Sequence, residues 1–190
     1  MNTRLAPGDW CDAGLALLRD EGMSALTVDR MCTALERTKG SFYHHFRDLD
    51  AFLTRLLARW EETLTEAPIA FAGAADDLGQ RAARLDDAVE RLDHRLDLAV
   101  RSWALRDARA RAVVARVDAR RMAYLTELHA AVNAKSARES AQLEYLAFVG
   151  AQHVSAMMTP ADAAQLISDI RRSLAQHTTA PSAPTPRRRR

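Results

Sequence analysis

The sequence is poor in cysteine, proline and glycine, with two, six and seven in 190 residues. Two cysteines, Cys11 and Cys32, cannot build a disulfide framework, and both fall on apolar helical stripes, where a thiol behaves as a small hydrophobe. A reduced, cytoplasmic setting is expected, with a redox switch between the two thiols as the alternative if their helices meet. Scarce proline and glycine beside abundant Ala, Leu and Arg leave little to interrupt helix, so the expected fold class is all-α. No stretch approaches the roughly 18 apolar residues that span a bilayer, and no charged-then-apolar leader opens the chain, so membrane insertion and secretion are not expected. A glycine-rich phosphate loop, a nucleophile elbow, a His-Glu-x-x-His motif and paired carboxylates are all missing. No catalytic residue and no cofactor is expected, and an enzyme has no residues to stand on. His44 and His45 point about 100° apart on a helix and have no third ligand at a useful spacing, so no metal site is expected either.

Strong net charge is also lacking. The formal value of +2 depends on Arg187 to Arg190, which supply four of the 27 basic residues and leave 23 against 25 acidic ones. Nucleic-acid binding therefore cannot rest on overall basicity and requires a local patch.

The length suits two small domains. Residues 1–8 read as an arm ending in Pro7-Gly8. Trp10, Cys11, Gly14, Leu17 and Leu18 follow at helical spacing, with Gly22 as the stop. Thr27 is the expected N-cap of a helix carrying Val28, Met31, Cys32 and Leu35; Thr38 opens a third, and Asp48 a fourth with Leu49, Phe52, Leu53, Leu56, Leu57 and Trp60 in one stripe. Pro68 and Gly73 mark a boundary. Apolar positions from Leu78 to Leu105 predict one long helix, with Asp87/Arg91 and Asp97/Arg101 as i, i+4 pairs on a solvated face. Asp107 caps the next helix, which ends near Asn133. Ser136 with Glu139 predicts a capping box, and Thr159-Pro160 the start of a last helix containing Leu166, Ile170 and Leu174. The domains expected are 9–60, with a recognition helix at about 38–45, and 61–177. Residues 178–190, rich in Thr, Ala, Pro and Arg, are expected to be disordered.

Two short helices joined by a tight turn form the minimal helix-turn-helix pattern. The segment Arg37 to Arg47 adds the local patch: three permanent cations, hydroxyls, two imidazoles and no carboxylate. Lys39 is a flexible donor to phosphate or guanine, Thr38 and Ser41 are short enough for close approach, and Gly40 removes a side chain that would hold the helix off the groove. Tyr43 and His44 suit phosphate oxygens, while Thr27 and Arg47 sit where they would clamp phosphates on either side. Phe42 and Phe46 read as core.

On these residues, Thr27-Val28 leading to Lys39-Gly40-Ser41-Phe42-Tyr43-His44-His45-Phe46, the chain resembles the N-terminal domain of TetR/AcrR-family regulators over about residues 9 to 60. The resemblance implies an all-helical homodimer, two-fold-related operator DNA, and a divergent C-terminal domain that binds a small effector and dimerises through its last two long helices. It makes Thr27, Thr38, Lys39, Gly40, Ser41, Tyr43 and His44 DNA contacts, with Arg37 as an addition where the family has a small apolar residue. Glu36 stands in place of the family's turn glycine, at a cost near 1 kcal/mol if φ is positive there. Leu49 stands in place of a usual lysine. The dimer surface implied is Leu143, Leu146, Gly150, Val154, Leu166, Ile170 and Leu174. For the effector pocket, Trp60, Trp103, Tyr124, His129, Phe148, His153 and Met157 have the required mixture of apolar walls and polar groups, with ordinary core as the alternative for each. The expected function is a cytoplasmic bacterial repressor, nucleoid-associated when bound and released from operator DNA by an unknown small molecule. A helical protein-interaction module that keeps the fold without operator binding is the alternative.

Overall fold

The computed structural model describes residues 5–154, 159, 161–162, 165–166, 168–170 and 172–173, and every regular element among them is helical. No described helix is long and apolar enough to cross a membrane. The described residues form two compact units, one up to Tyr124 and one from Leu125 onward. The tail from 178 to 190 lies outside the described residues, as do Met157, Ala163, Ile167 and Leu174.

Gly22, Thr27, Thr38 and Asp48 stop or cap helices where the sequence predicts, whereas the first helix already begins at Pro7, inside the arm expected over residues 1–8. Helix α1 (Pro7–Glu21) starts on a proline, whose missing N–H costs nothing in a first turn, and stops at Gly22 with φ 81°. After a 3-10 turn at Met23–Ala25, α2 (Val28–Leu35) begins with Thr27 Oγ1 accepting from the Arg30 N–H at 3.2 Å. Thr38 Oγ1 accepts from Ser41 N–H at 3.3 Å to open α3 (Lys39–His45), and Asp48 Oδ1 from Ala51 N–H at 2.7 Å to open α4 (Leu49–Glu61).

Further along, four expectations change. Pro68 does not end a helix: α4 continues through a π-helical segment, Glu62–Glu66, into α5 (Ala67–Gly73). Pro68 has no N–H to offer the Leu64 carbonyl four residues back, and Arg121 Nη2 donates to that carbonyl at 3.1 Å. The single helix expected from Leu78 to Leu105 is two, α6 (Leu78–Glu90) and α7 (His94–Ala104), because Asp93 turns extended and caps the second through Arg95 N–H at 3.1 Å. Asp97 and Arg101 are not on a solvated face: Asp97 is 1% exposed and bridges two guanidiniums, Arg101 Nε at 2.9 Å and Arg121 Nη2 at 3.1 Å. Arg101 also binds Asp118 at 2.8 Å. The pairing at i, i+4 is right, but α8 covers that face. Finally, Ser136 adopts φ −105° and ψ 2° instead of an extended N-cap geometry, and its hydroxyl makes no capping bond.

Helix α8 (Ala108–Asn133) is capped by Asp107, which accepts from Ala110 N–H at 2.9 Å, and ends in the second unit. There α9 (Ala137–His153) follows, and His129 Nε2 meets the buried Glu144 carboxylate at 2.7 Å. Thr159 and Asp162 exchange capping bonds, Thr159 Oγ1 accepting from Asp162 N–H at 3.2 Å and Asp162 Oδ2 from Thr159 N–H at 3.1 Å.

The core of the first unit is continuous from Trp10 to Val117. Its aromatic centre is Phe42, with ring centroids 5.5 Å from Trp10, 5.2 Å from Phe46 and 5.6 Å from Phe52. Phe52 reaches this centre because α1 presents Gly14 to it. A Cβ there would stand 2.7 Å from Phe52 Cζ and 2.9 Å from Leu56 Cδ1. Gly14→Ala should therefore destabilise the protein by about 1–3 kcal/mol despite its better helix propensity, read as a lowered thermal midpoint.

Candidate nucleic-acid interface

Helix α3 is held by its inner face. Phe42 and Phe46 are buried, as predicted, and His45 lies half-buried against Trp10 at 6.5 Å between ring centroids. The helical period then turns the other side chains outward. Tyr43 is 53% exposed, and Thr27, Thr38, Lys39, Gly40, His44 and Arg47 are also exposed, with Ser41 and Arg37 half-buried. The candidate contacts between Thr38 and Arg47 thus share one short element and its flanks. Thr27 and Thr38 spend their hydroxyl acceptors on caps, so each marks a helix start where backbone N–H groups are also available. Leu49, where the resemblance implies lysine, packs partly buried against the core.

Among the described residues Gly40 has no intramolecular reason to be glycine. An added Cβ would meet only Thr38 Oγ1, at 3.7 Å, which is ordinary contact.

The turn before α3 has the predicted strain. Glu36 is in the left-handed region at φ 53° and ψ 48°, the one positive-φ residue other than glycine among the described residues. Its own N–H reaches Thr33 O at 3.2 Å and the Arg37 N–H reaches Cys32 O at 2.8 Å, the paired bonds that close a helix through a left-handed residue.

Charge is arranged differently in space than along the chain. Arg37 to Arg47 contains no carboxylate, yet Asp29 of α2 places Oδ1 2.7 Å from Lys39 Nζ, and Asp48 places Oδ2 2.7 Å from Arg47 Nε. Arg30 is paired with Glu21, and Arg37 Nη1 donates to the Glu36 carbonyl at 3.0 Å. The hydrogen bond to Asp29 raises the Lys39 pKa, and the backbone bond from Ala51 followed by that from Arg47 lowers that of Asp48. Linear inspection missed Asp29 because ten residues and a turn separate it from Lys39; its signal was only a carboxylate in the first turn of the preceding helix.

Both cysteines are buried and free. Burial pushes the Cys11 thiol up to about 11 and raises that of Cys32 as well, so neither is a ready thiolate near neutral pH. No metal-binding group of His, Cys, Asp or Glu occurs among the described residues.

Of the candidate effector residues, Trp60, Trp103 and Tyr124 are buried in the first unit. Trp103 lines a cavity of about 490 Å³ with Met23, Ala99, Leu105 and Arg106. Arg121 lies 5.8 Å over the Trp60 ring and donates to Thr65 Oγ1 at 3.0 Å, while Trp60 Nε1 and Arg121 Nη1 are buried with no acceptor among the described residues. In the second unit His129 binds Glu144, Phe148 stacks on Tyr145, and His153 is exposed and bonded to its own helix at Val149 O. Among the candidate dimer residues, Leu143, Leu146 and Val154 are 52%, 69% and 41% exposed, with exposed Gly150 on the same side of α9; Leu166 is exposed and Ile170 half-buried.

Relieving the turn gives a direct check on its geometry: Glu36→Gly should raise the unfolding free energy by about 1 kcal/mol in denaturant titration, since glycine adopts this conformation without a Cβ penalty.

A family model described as bacterial regulatory proteins, tetR family, matches residues 11–56. No curated protein matches the sequence significantly. Among solved structures, the chain is similar to a TetR-family transcriptional regulator from Streptomyces coelicolor, with a TM-score of 0.75 at 15% identity, covering 91% of this chain and 95% of that one. It is also similar to the reduced form of E. coli NemR, with a TM-score of 0.71 at 14% identity and 93% and 99% coverage. The fatty acid degradation regulator FadR from Bacillus halodurans gives 0.68 at 16% identity, with 95% and 100% coverage. The helix-turn-helix held on Phe42 and Phe46 thus lies within the segment that matches the tetR family model, and the chain shares the all-helical fold of these solved structures.

Proposed function

We propose that the protein is a homodimeric, cytoplasmic transcriptional repressor that binds two-fold-related operator DNA through α3 and is released by a small-molecule effector. The observation that carries the DNA-binding part is Gly40: no described residue crowds it, and its lack of a side chain on the exposed face of α3 leaves room for a surface to approach the helix closely from outside. Tyr43, His44, Ser41 and Lys39 surround it with the donors that phosphates and base edges take. Thr27, Arg37, Thr38 and Arg47 complete the contact set. A duplex spanning the DNA next to the protein's own gene should give a footprint. Lys39→Ala combined with Tyr43→Ala should weaken binding at least tenfold in a gel shift, as two contacts are lost. An unchanged footprint would remove these contacts from the reading, and the absence of any binding would favour the helical interaction module.

Dimerisation is supported by the apolar stripe of α9. Leu143, Leu146, Gly150 and Val154 recur on one helical face and stay exposed, a pattern that burial against a second copy would account for. Leu146→Glu should convert a dimer to a monomer in light scattering while leaving the helical circular dichroism intact.

Effector binding is supported by the cavity at Trp103 and by the two buried donors near the end of α4, Trp60 Nε1 and Arg121 Nη1, which suit a ligand bearing a hydrogen-bond acceptor. Helix α4 then links such a site to the reading helix, because Trp60 is at one end and the Asp48 cap at the other.

A further inference from the structure

The reading head carries no excess charge. Between residues 27 and 50, Arg30, Arg37, Lys39 and Arg47 are matched one for one by Asp29, Glu36, Asp48 and Asp50. The matching is partly spatial: Lys39 and Arg47 each have a carboxylate oxygen at 2.7 Å. For a domain whose ligand is a polyanion this is unexpected, since sequence-independent affinity for DNA comes almost entirely from cations that replace condensed counterions.

We propose that Asp29 holds down the protein's affinity for DNA by engaging the reading-helix lysine, Lys39, in an ion pair that DNA contacts of that lysine must displace. This rests on the DNA-binding reading above. The magnitudes make the device workable. An exposed ion pair of this kind changes an equilibrium by only about 1.4- to 5-fold. That is small beside a well-made base contact, worth roughly 5- to 150-fold, so a correct operator overrides it. Random DNA offers Lys39 phosphates but no matched base edges, so it displaces Asp29 less completely. The Asp29 carboxylate left behind once Lys39 moves to DNA also repels phosphates, which adds to the cost.

Asp29 is the right position to test, because Asp48 also caps α4 and Glu36 sits in the strained turn, whereas the Asp29 side chain is 74% exposed and its ion pair is with Lys39. Asp29→Asn keeps its shape and removes its charge. The full-length protein and the variant are titrated by fluorescence anisotropy against a random-sequence 25-base-pair duplex and against the duplex flanking its own gene, over a series of potassium chloride concentrations. For the random duplex, Asp29→Asn should bind about 2- to 20-fold tighter as a dimer, with a log K against log salt slope steeper by about 1 to 2, because one lysine per head is freed. The gain on the flanking duplex should be at least as large, because operator contacts break the pair completely. Asp29→Asn combined with Lys39→Gln should return the random-duplex affinity and slope to near the wild-type values.

Asp29→Ala serves as a second charge-removing variant, with thermal melts confirming that both fold. Equal random-duplex affinity and slope for wild type and both variants would overturn the inference while leaving DNA binding intact. Weaker binding by the variants would overturn it too, since Asp29 would then be aiming Lys39 at DNA. Failure of every protein to bind either duplex would instead remove the DNA-binding reading on which it rests.

Discussion

At Gly14 the backbone of α1 lies against the Phe52 ring of α4, with room for a hydrogen but not for a methyl group. That approach lets Phe52 reach Phe42 and Phe46, and these two rings are the inner face by which α3 is held. A seven-residue helix has too few hydrogen bonds to persist alone. Its conformation is therefore borrowed from the aromatic contact beneath it, supplemented by the Thr38 and Asp48 caps at its ends. The outward set of polar side chains follows from the helical period once Phe42 and Phe46 are buried.

Helix α4 is gripped from its other sides by charge. Arg59 of α4 reaches Asp12 of α1 at 2.9 Å, Arg109 of α8 donates to Asp50 Oδ1 at 2.9 Å and to its carbonyl at 3.0 Å, and Arg116 pairs with Glu61 through Nε at 2.8 Å. Exposed pairs of this sort contribute a few tenths to about 1 kcal/mol each, so they tune the seating of α4 without determining it. The pairing at Asp97 is different in kind. Its carboxylate is removed from water and faces two guanidiniums, so losing either partner would leave charge stranded in the core. Arg121 joins that network to the Leu64 carbonyl that Pro68 cannot satisfy. The π-helical segment, the proline and the buried arginine are thus one solution to one backbone problem, placed directly after the helix that carries Trp60.

The same economy of charge marks the reading head. Its cations are balanced within the protein, so under the DNA-binding function proposed above discrimination between sequences falls to hydroxyls, an imidazole, a phenol and close backbone approach at Gly40. Such groups act at short range and reward exact fit, where bare cations reward any phosphate within a Debye length.

Much of this was legible in the linear sequence, and the reason is locality. Thr27, Thr38, Asp48 and Asp107 cap helices through residues three positions away, Gly22 stops one by its own φ, and the buried Phe42 and Phe46 follow from a period of 3.6. The strain at Glu36 was legible only through the resemblance, which puts glycine at that turn position; nothing in the local residues alone demands a left-handed backbone there. What the sequence could not determine were relations between distant segments. Asp97 and Arg101 look like a solvated pair until α8 covers them, Asp29 looks unrelated to Lys39 until a turn folds it back, and Pro68 looks like a breaker until Arg121, fifty-three positions later, takes up the orphaned carbonyl. Short-range hydrogen bonding and periodicity decide where helices begin and end; burial and charge pairing depend on which surfaces meet, and only the tertiary structure decides that.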